Sequence, residues 1–197
     1  MSIWTEPQLG TDIWTQGGPW RFTREAAIDG AAAEILYSLY HQAFEPLKVK
    51  AVARQVLTWD EFFGQMQDDR IDKYVAWEPH GEPIGLITLT RHLDAMPWVS
   101  PEYFAARFPE HWARRAVYYL GYLLARPVTR RTRFLETICK LCVEPLVAER
   151  AVIAYDVCSY NNDMLDFADR ISRVARQVAG SHVHKLDAQV YYAVKFE

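Results

Sequence analysis

Residues 126–137, Arg-Pro-Val-Thr-Arg-Arg-Thr-Arg-Phe-Leu-Glu-Thr, carry four arginines within eight positions, between an apolar run and a helical pattern. A strand turning into a helix leaves unpaired N–H groups at the helix N-terminus, where the dipole also favours an anion. Arg130, Arg131 and Arg133 would add charge-assisted donors there. Cations in a first helical turn are locally unfavourable, so the cluster calls for a compensating anion, and phosphate binding is the chemistry it suits. The alternative is a solvated or ion-paired face.

Other reactive side chains are sparser. Asp156 sits in the otherwise apolar stretch 151–158, where a carboxylate must be hydrogen-bonded, paired or functional. Cys139 and Cys142 form a lone Cys-x-x-Cys with no second pair at ligand spacing, so core packing is expected and no metal site. Cys158 has no histidine visibly paired with it, and His41, His182 and His184 lack a third ligand. Without a Gly-x-Ser-x-Gly or a Walker-type lysine loop, hydrolase and nucleotidase readings are disfavoured.

The elements that must position these residues follow from periodicity. The 197 residues, 50% hydrophobic and 24% charged, fit one globular domain, expected over 20–197 after an N-terminal extension at 1–19. A net charge of −3 makes any basic patch local, three cysteines without a secretory leader point to a reducing cytoplasm, and no apolar run spans a membrane. A strand is predicted near 20–24 and a helix from Asp29-Gly30 to Pro46, with Ile35, Leu36, Leu39, Tyr40 and Ala43 inward. Thr58 to Glu61 has capping-box spacing and opens a helix through Met66. Runs at 73–78 and 84–90 read as a hairpin, and Ser100-Pro101-Glu102 as a helix start leading to about Arg114. Residues 117–125 are apolar enough for a central strand, on which Tyr118, Tyr119 and Tyr122 would alternate between faces. A helix ended by Pro145, a strand at 151–158, a helix capped by Asn161 or Asn162, and a closing strand at 190–196 complete the order. The strand–helix–strand in the second half requires a parallel pair.

This order and the arginine turn together resemble the GNAT (Gcn5-related N-acetyltransferase) superfamily over roughly residues 20–197. There the fourth strand ends Leu-x-Val-x-Pro and runs into Arg/Gln-x-x-Gly-x-Gly/Ala. Leu123-Leu124-Ala125-Arg126-Pro127 matches with alanine for valine, and Arg130 stands at the Arg/Gln position. Arg133 and Leu135 replace the glycines, which removes the close backbone approach to a pyrophosphate. The family's asparagine after the fifth strand is answered by Asn161 or Asn162. Its tyrosine in the next helix is not answered, Phe167 lying nearest.

The resemblance implies a single α/β domain with a mixed, mostly antiparallel sheet, a splayed parallel central strand pair and flanking helices. It implies transfer of an acyl group, acetyl by default, from acetyl-CoA or another acyl-pantetheine thioester to an amine of a small molecule, with no metal. Backbone at Leu124 and Ala125 would pair with pantetheine, Arg130, Arg131 and Arg133 would meet phosphate, and Asn161 would order the arm. Asp156 or Glu45 would serve the amine, Glu45 lying in the helix–helix loop where the family builds its acceptor pocket, and Tyr160 would replace the missing acid. Trp98 and Tyr103 would fall in an insertion overhanging the acceptor. The missing glycines keep an acyl carrier protein or a charged tRNA open as donor, the overall acidity weakening the second. The rival reading is a GNAT-like binding module without catalysis, and a homodimer stays open.

Overall fold

The computed structural model describes residues 13–14, 20–53, 56–126, 134–178 and 180–196. Among these, β1 (Ile13–Trp14), β2 (Arg21–Glu25), β3 (Asp72–Trp77), β4 (Pro83–Thr90), β5 (Val117–Ala125) and β6 (Val152–Ala154) form one sheet in sequence order. Neighbours are antiparallel except β5 and β6, which run parallel, so the sheet is mixed with its parallel pair at one side. Every residue of β4 is buried, as its mostly apolar run suits in a strand covered on both faces.

Helices α1 (Gly30–Phe44) and α2 (Trp59–Gln67) cover one face. Asp29 caps α1 by accepting from Ala32 N–H at 2.9 Å, and Thr58 and Glu61 close the capping box of α2 from both sides. Leu36, Leu39 and Tyr40 of α1 meet Phe62, Met66, Val75, Leu86, Tyr122 and Leu124 in one core. On the opposite face α5 (Phe134–Ala148) sets Leu141, Cys142 and Leu146 against Phe22, Tyr74, Ile87 and Tyr118. Cys142 is thus a core residue, as expected.

Several elements differ from their sequence patterns for identifiable reasons. Pro145 lies inside α5, which runs one further turn because Leu146 is buried beyond it and Glu149 N–H still reaches the Pro145 carbonyl. Pro109 divides the expected helix at 101–114 into α3 (Pro101–Arg107) and α4 (Pro109–Ala113), because proline disfavours helical backbone at the preceding Phe108. Asp166, at φ 48°, breaks the next helix into α6 (Ser159–Leu165) and α7 (Phe167–Val178). Cys158 rather than an asparagine is the N-cap, and Asn161 and Asn162 lie inside α6. The expected strand at 151–158 is paired only over Val152–Ala154, and residues 190–196 form no strand.

β5 carries the local feature that matters most for the site. Leu89 pairs with Leu120 but Ile87 with Leu123, so β5 holds one extra residue, a β-bulge around Gly121. The bulge resets the alternation: Tyr119 and Tyr122, three apart, share the α1–α2 face while Tyr118 packs under α5. Tyr122 N–H donates to buried Thr88 Oγ1 at 3.1 Å, which satisfies the bulge's donor.

Candidate functional site

The parallel pair parts company after three residue pairs. Val117, Tyr118 and Tyr119 face Val152, Ile153 and Ala154, after which β5 runs on through residues 120–125 with no β6 partner among the described residues. On the other side Arg126 N–H bonds the Ile84 carbonyl at 2.9 Å, and Leu124 is opposite Leu86. Backbone direction alternates along a strand, so Leu124 points its N–H and C=O at β4, whereas Leu123 and Ala125 point theirs into the divergence. Of the two residues expected to pair with pantetheine, Ala125 turns its polar backbone groups into the divergence, as Leu123 does, and Leu124 turns its own toward β4.

Asp156 hangs at the apex of the divergence, two residues beyond the last pair. Tyr119 O–H donates to Asp156 Oδ1, and Asp156 is otherwise open to solvent. Burial, with the adjacent Asp156 charge, pushes the Tyr119 phenol above its usual range, while a Trp98 hydrogen bond works against that rise. Tyr119 therefore stays protonated and serves as the donor to Asp156. Trp98 and Tyr103 both lie on the stretch between β4 and β5, and Trp98 reaches the Tyr119 hydroxyl from it.

Glu45 stands at the end of α1, exposed, with Lys48 Nζ at 2.8 Å and His41 Nδ1 at 2.7 Å. The hydrogen bond from Lys48, reinforced by the charges of Lys48 and His41, holds its carboxyl below the usual range. That suits a fixed negative charge better than a general base. Tyr160, on α6, accepts from Lys50 Nζ at 2.9 Å, and the same ammonium lies 4.4 Å from its ring centroid. The turn after α1 thereby touches α6. Tyr160 and Asp156 lie on one stretch of chain, while Glu45 belongs to the α1 end with its own ion pairs. Asn161 is half-buried in the first turn of α6.

Arg130, Arg131 and Arg133 lie outside the described residues. Arg126 is described, and it is committed: its guanidinium pairs with Glu78 at 3.0 Å and Glu82 at 3.3 Å, tying the end of β5 to the β3–β4 hairpin. Beside it opens a cavity of about 480 Å³ lined by Glu34, Ile35, Ser38, Leu39 and Gln42 of α1 together with Arg126. Among the described residues no three His, Cys, Asp or Glu side chains gather as a metal site, and no helix is long and apolar enough to cross a membrane.

Sequence reasoning named Tyr119 only as one of three alternating tyrosines and did not single out Thr88 or Lys50. An interior strand glycine is a bulge signal, and Gly121 could have revealed that Tyr119 and Tyr122 share a face. Lys50 carried no signal.

No family model and no curated relative matches this chain. Among solved structures, the chain is similar to a tetramutant of the BH1408 protein of Bacillus halodurans, at 12% identity over 87% of this chain and 99% of that one, with a TM-score of 0.54. It is also similar to an aminoglycoside acetyltransferase from an uncultured soil metagenomic sample in complex with sisomicin, at 11% identity, 90% and 97% coverage and a TM-score of 0.47. An acetyltransferase of Trypanosoma brucei aligns at 15% identity, 87% and 99% coverage and a TM-score of 0.48. The architecture, a mixed sheet with a parallel pair that parts beside flanking helices, is shared with the BH1408 protein and fits the single α/β domain with a mixed sheet expected from the sequence.

Proposed function

We propose that residues 20–197 act as an N-acyltransferase that moves an acyl group, acetyl by default, from a pantetheine thioester such as acetyl-CoA to an amine of a small molecule. The observation that carries this reading is the divergence of β5 from β6, with the backbone of Leu123 and Ala125 turned into it. Pantetheine has two amides, and an open strand edge accepts amides as it would accept another strand. The donor, when bound, supplies the thioester whose acyl carbon the amine attacks. Arg130, Arg131 and Arg133, just before α5, would hold its phosphates by side chain, while Arg126 is occupied by Glu78 and Glu82.

Asp156 is the residue of choice for the acceptor. Its ionised carboxylate, steadied by Tyr119, attracts an ammonium and orients the amine; the proton the amine sheds can leave through the open side of Asp156 to water. Glu45, whose charge is met by Lys48 and His41, is the second candidate for the amine. Lys50 donates to the Tyr160 hydroxyl oxygen and holds that side chain in place, and the Tyr160 O–H would donate to the departing thiolate.

Release of free thiol from acetyl-CoA in the presence of a panel of di- and polyamines tests the proposal. Amine-dependent release, lost in Asp156→Asn, is expected. Binding of the donor with no release for any amine would instead favour a binding module, and neither binding nor release would remove the acyl-CoA reading.

A further inference from the structure

Helix α7 divides sharply between two faces. Phe167, Ile171 and Val174, spaced i, i+4 and i+7, are half-buried, and the helix packs on α5. Turned away from them are Arg170, Arg173 and Arg176, all exposed. The helix thus carries three arginines against one aspartate, in a chain whose net charge is −3. Asp166 and Asp169 stand four residues before Arg170 and Arg173, a spacing at which ion pairs form on a helix. Those pairs are not made. Among the described residues none of the three guanidinium groups forms an ion pair or a side-chain hydrogen bond. A row of uncompensated cations, roughly 9 Å long at the helical rise per residue, is a surface suited to an anionic partner.

The row starts beside the cleft. The Phe167 ring meets the Tyr155 ring edge-on at 6.3 Å between centroids, and Tyr155 immediately precedes Asp156. Helix α5, on which α7 packs, begins directly after the segment 126–133 with its arginines. A partner held along α7 would therefore lie next to the end of β6. The sequence before α5 bears on what that partner is. Arg133 and Leu135 stand where glycines would let the backbone approach a pyrophosphate. A pantetheine arm borne on a protein brings a single phosphate and needs no such approach.

We propose that Arg170, Arg173 and Arg176 receive an acidic helix of an acyl carrier protein, which delivers its acyl-pantetheine arm to the gap between β5 and β6. The proposal rests on the acyl-transfer reading and adds the bearer of the donor. A helix is favoured over nucleic acid because the positive surface is one short row on an acidic chain, too little to follow a polyanion. Carboxylates spaced i, i+3 or i+4 on a facing helix repeat at the pitch of the arginines. Exposed charges of this kind set association rate and partner choice more than raw affinity.

The test compares acetyl-CoA with an acetyl-loaded acyl carrier protein as donor, for the parent and for the double variant Arg173→Glu/Arg176→Glu. Both positions are exposed, so circular dichroism and Tm should match the parent. The variant should lower kcat/KM for the carrier-borne donor at least about tenfold while leaving that for acetyl-CoA within about twofold. Added salt should erase most of the difference between parent and variant. Calorimetric titration with unloaded carrier reads the docking surface without turnover. If neither donor turns over, the acyl-transfer reading fails, and carrier binding that the variant loses still supports the surface. Absence of carrier binding up to about 100 μM, a weak-complex concentration, overturns the proposal. So does carrier binding that is equal in parent and variant, or an equal loss of kcat/KM with acetyl-CoA. Tighter binding of single-stranded DNA or anionic vesicles than of the carrier, through the same arginines, overturns it as well.

Discussion

Gly121→Ala is the sharpest probe of how β5 is shaped for the cleft. A Cβ at position 121 would stand 2.6 Å from Thr88 Oγ1, where ordinary contact begins near 3.4 Å. The backbone of Gly121 lies outside the left-handed region, so alanine is opposed by this contact and not by its own dihedrals. Thr88 is fully buried between β3 and β5, and turning its side chain away breaks the bond it accepts from Tyr122 N–H. Overpacking costs about 1–3 kcal/mol and leaving the buried donor unmet about 1–3 more, so a loss of roughly 2–6 kcal/mol is expected. For a chain of this size that lowers Tm by roughly 4–24 °C. Urea and thermal unfolding measure it, and a double-mutant cycle isolates the cause. On a Thr88→Ala background, where the clashing oxygen is gone, Gly121→Ala should cost no more than ~0.5 kcal/mol, a coupling of at least ~1.5 kcal/mol. Gly121→Ala within ~0.5 kcal/mol of the parent, or an equal cost in both backgrounds, would refute the argument.

Buried Lys73 predicts an unusual pH dependence. Its ammonium donates to the Ala26 and Asp68 carbonyls at 2.6 Å each, and burial, opposed by Asp68, Asp72 and Asp69, lowers its pKa from 10.5 to about 8. The folded value is the depressed one, so the penalty is fully present below pH 8 and is relieved as pH rises toward 10.5. Stability measured by urea unfolding between about pH 7.5 and 9.5 should therefore climb, by ~3 kcal/mol at most over the full range, and Lys73→Met should flatten the slope. A parent curve that is flat or falling would contradict the assignment. Tyr119→Phe removes the donor that holds Asp156; it should lower amine turnover while shifting the affinity for acetyl-CoA less than about twofold, and a pure affinity loss would place Tyr119 with the donor instead. Arg130→Ala should weaken acetyl-CoA binding more than Arg150→Ala does in calorimetric titration, and equal effects would make the turn a charged surface only.

Local chemistry was the legible part of this chain. Thr58 and Glu61 announced α2, Pro79 to Pro83 announced the hairpin, and the unbroken apolar run at 117–125 announced a covered strand beside a parallel partner. What resisted reading depends on tertiary partners. The alternation of Tyr118, Tyr119 and Tyr122 is reset by one extra residue in β5, which only the pairing with β4 reveals. Asp156 was legible as a carboxylate needing a partner, but its donor lies 37 residues away on β5. Residues 190–196 have a strand's pattern and no strand beside them, because pattern specifies a face to bury and not the surface that buries it. Glu45 was legible as a loop carboxylate. Its ion pairs with His41 and Lys48, which suit it to charge and not to proton transfer, were not.

The central claim is that the gap between β5 and β6 receives a pantetheine thioester. Calorimetric titration with acetyl-CoA, set beside acetyl-pantetheine, tests it most directly. Binding of acetyl-CoA that is much tighter than binding of acetyl-pantetheine is the predicted result, since the arginines before α5 would hold the phosphates that only the first carries. No binding of either, with the protein folded, would contradict the claim.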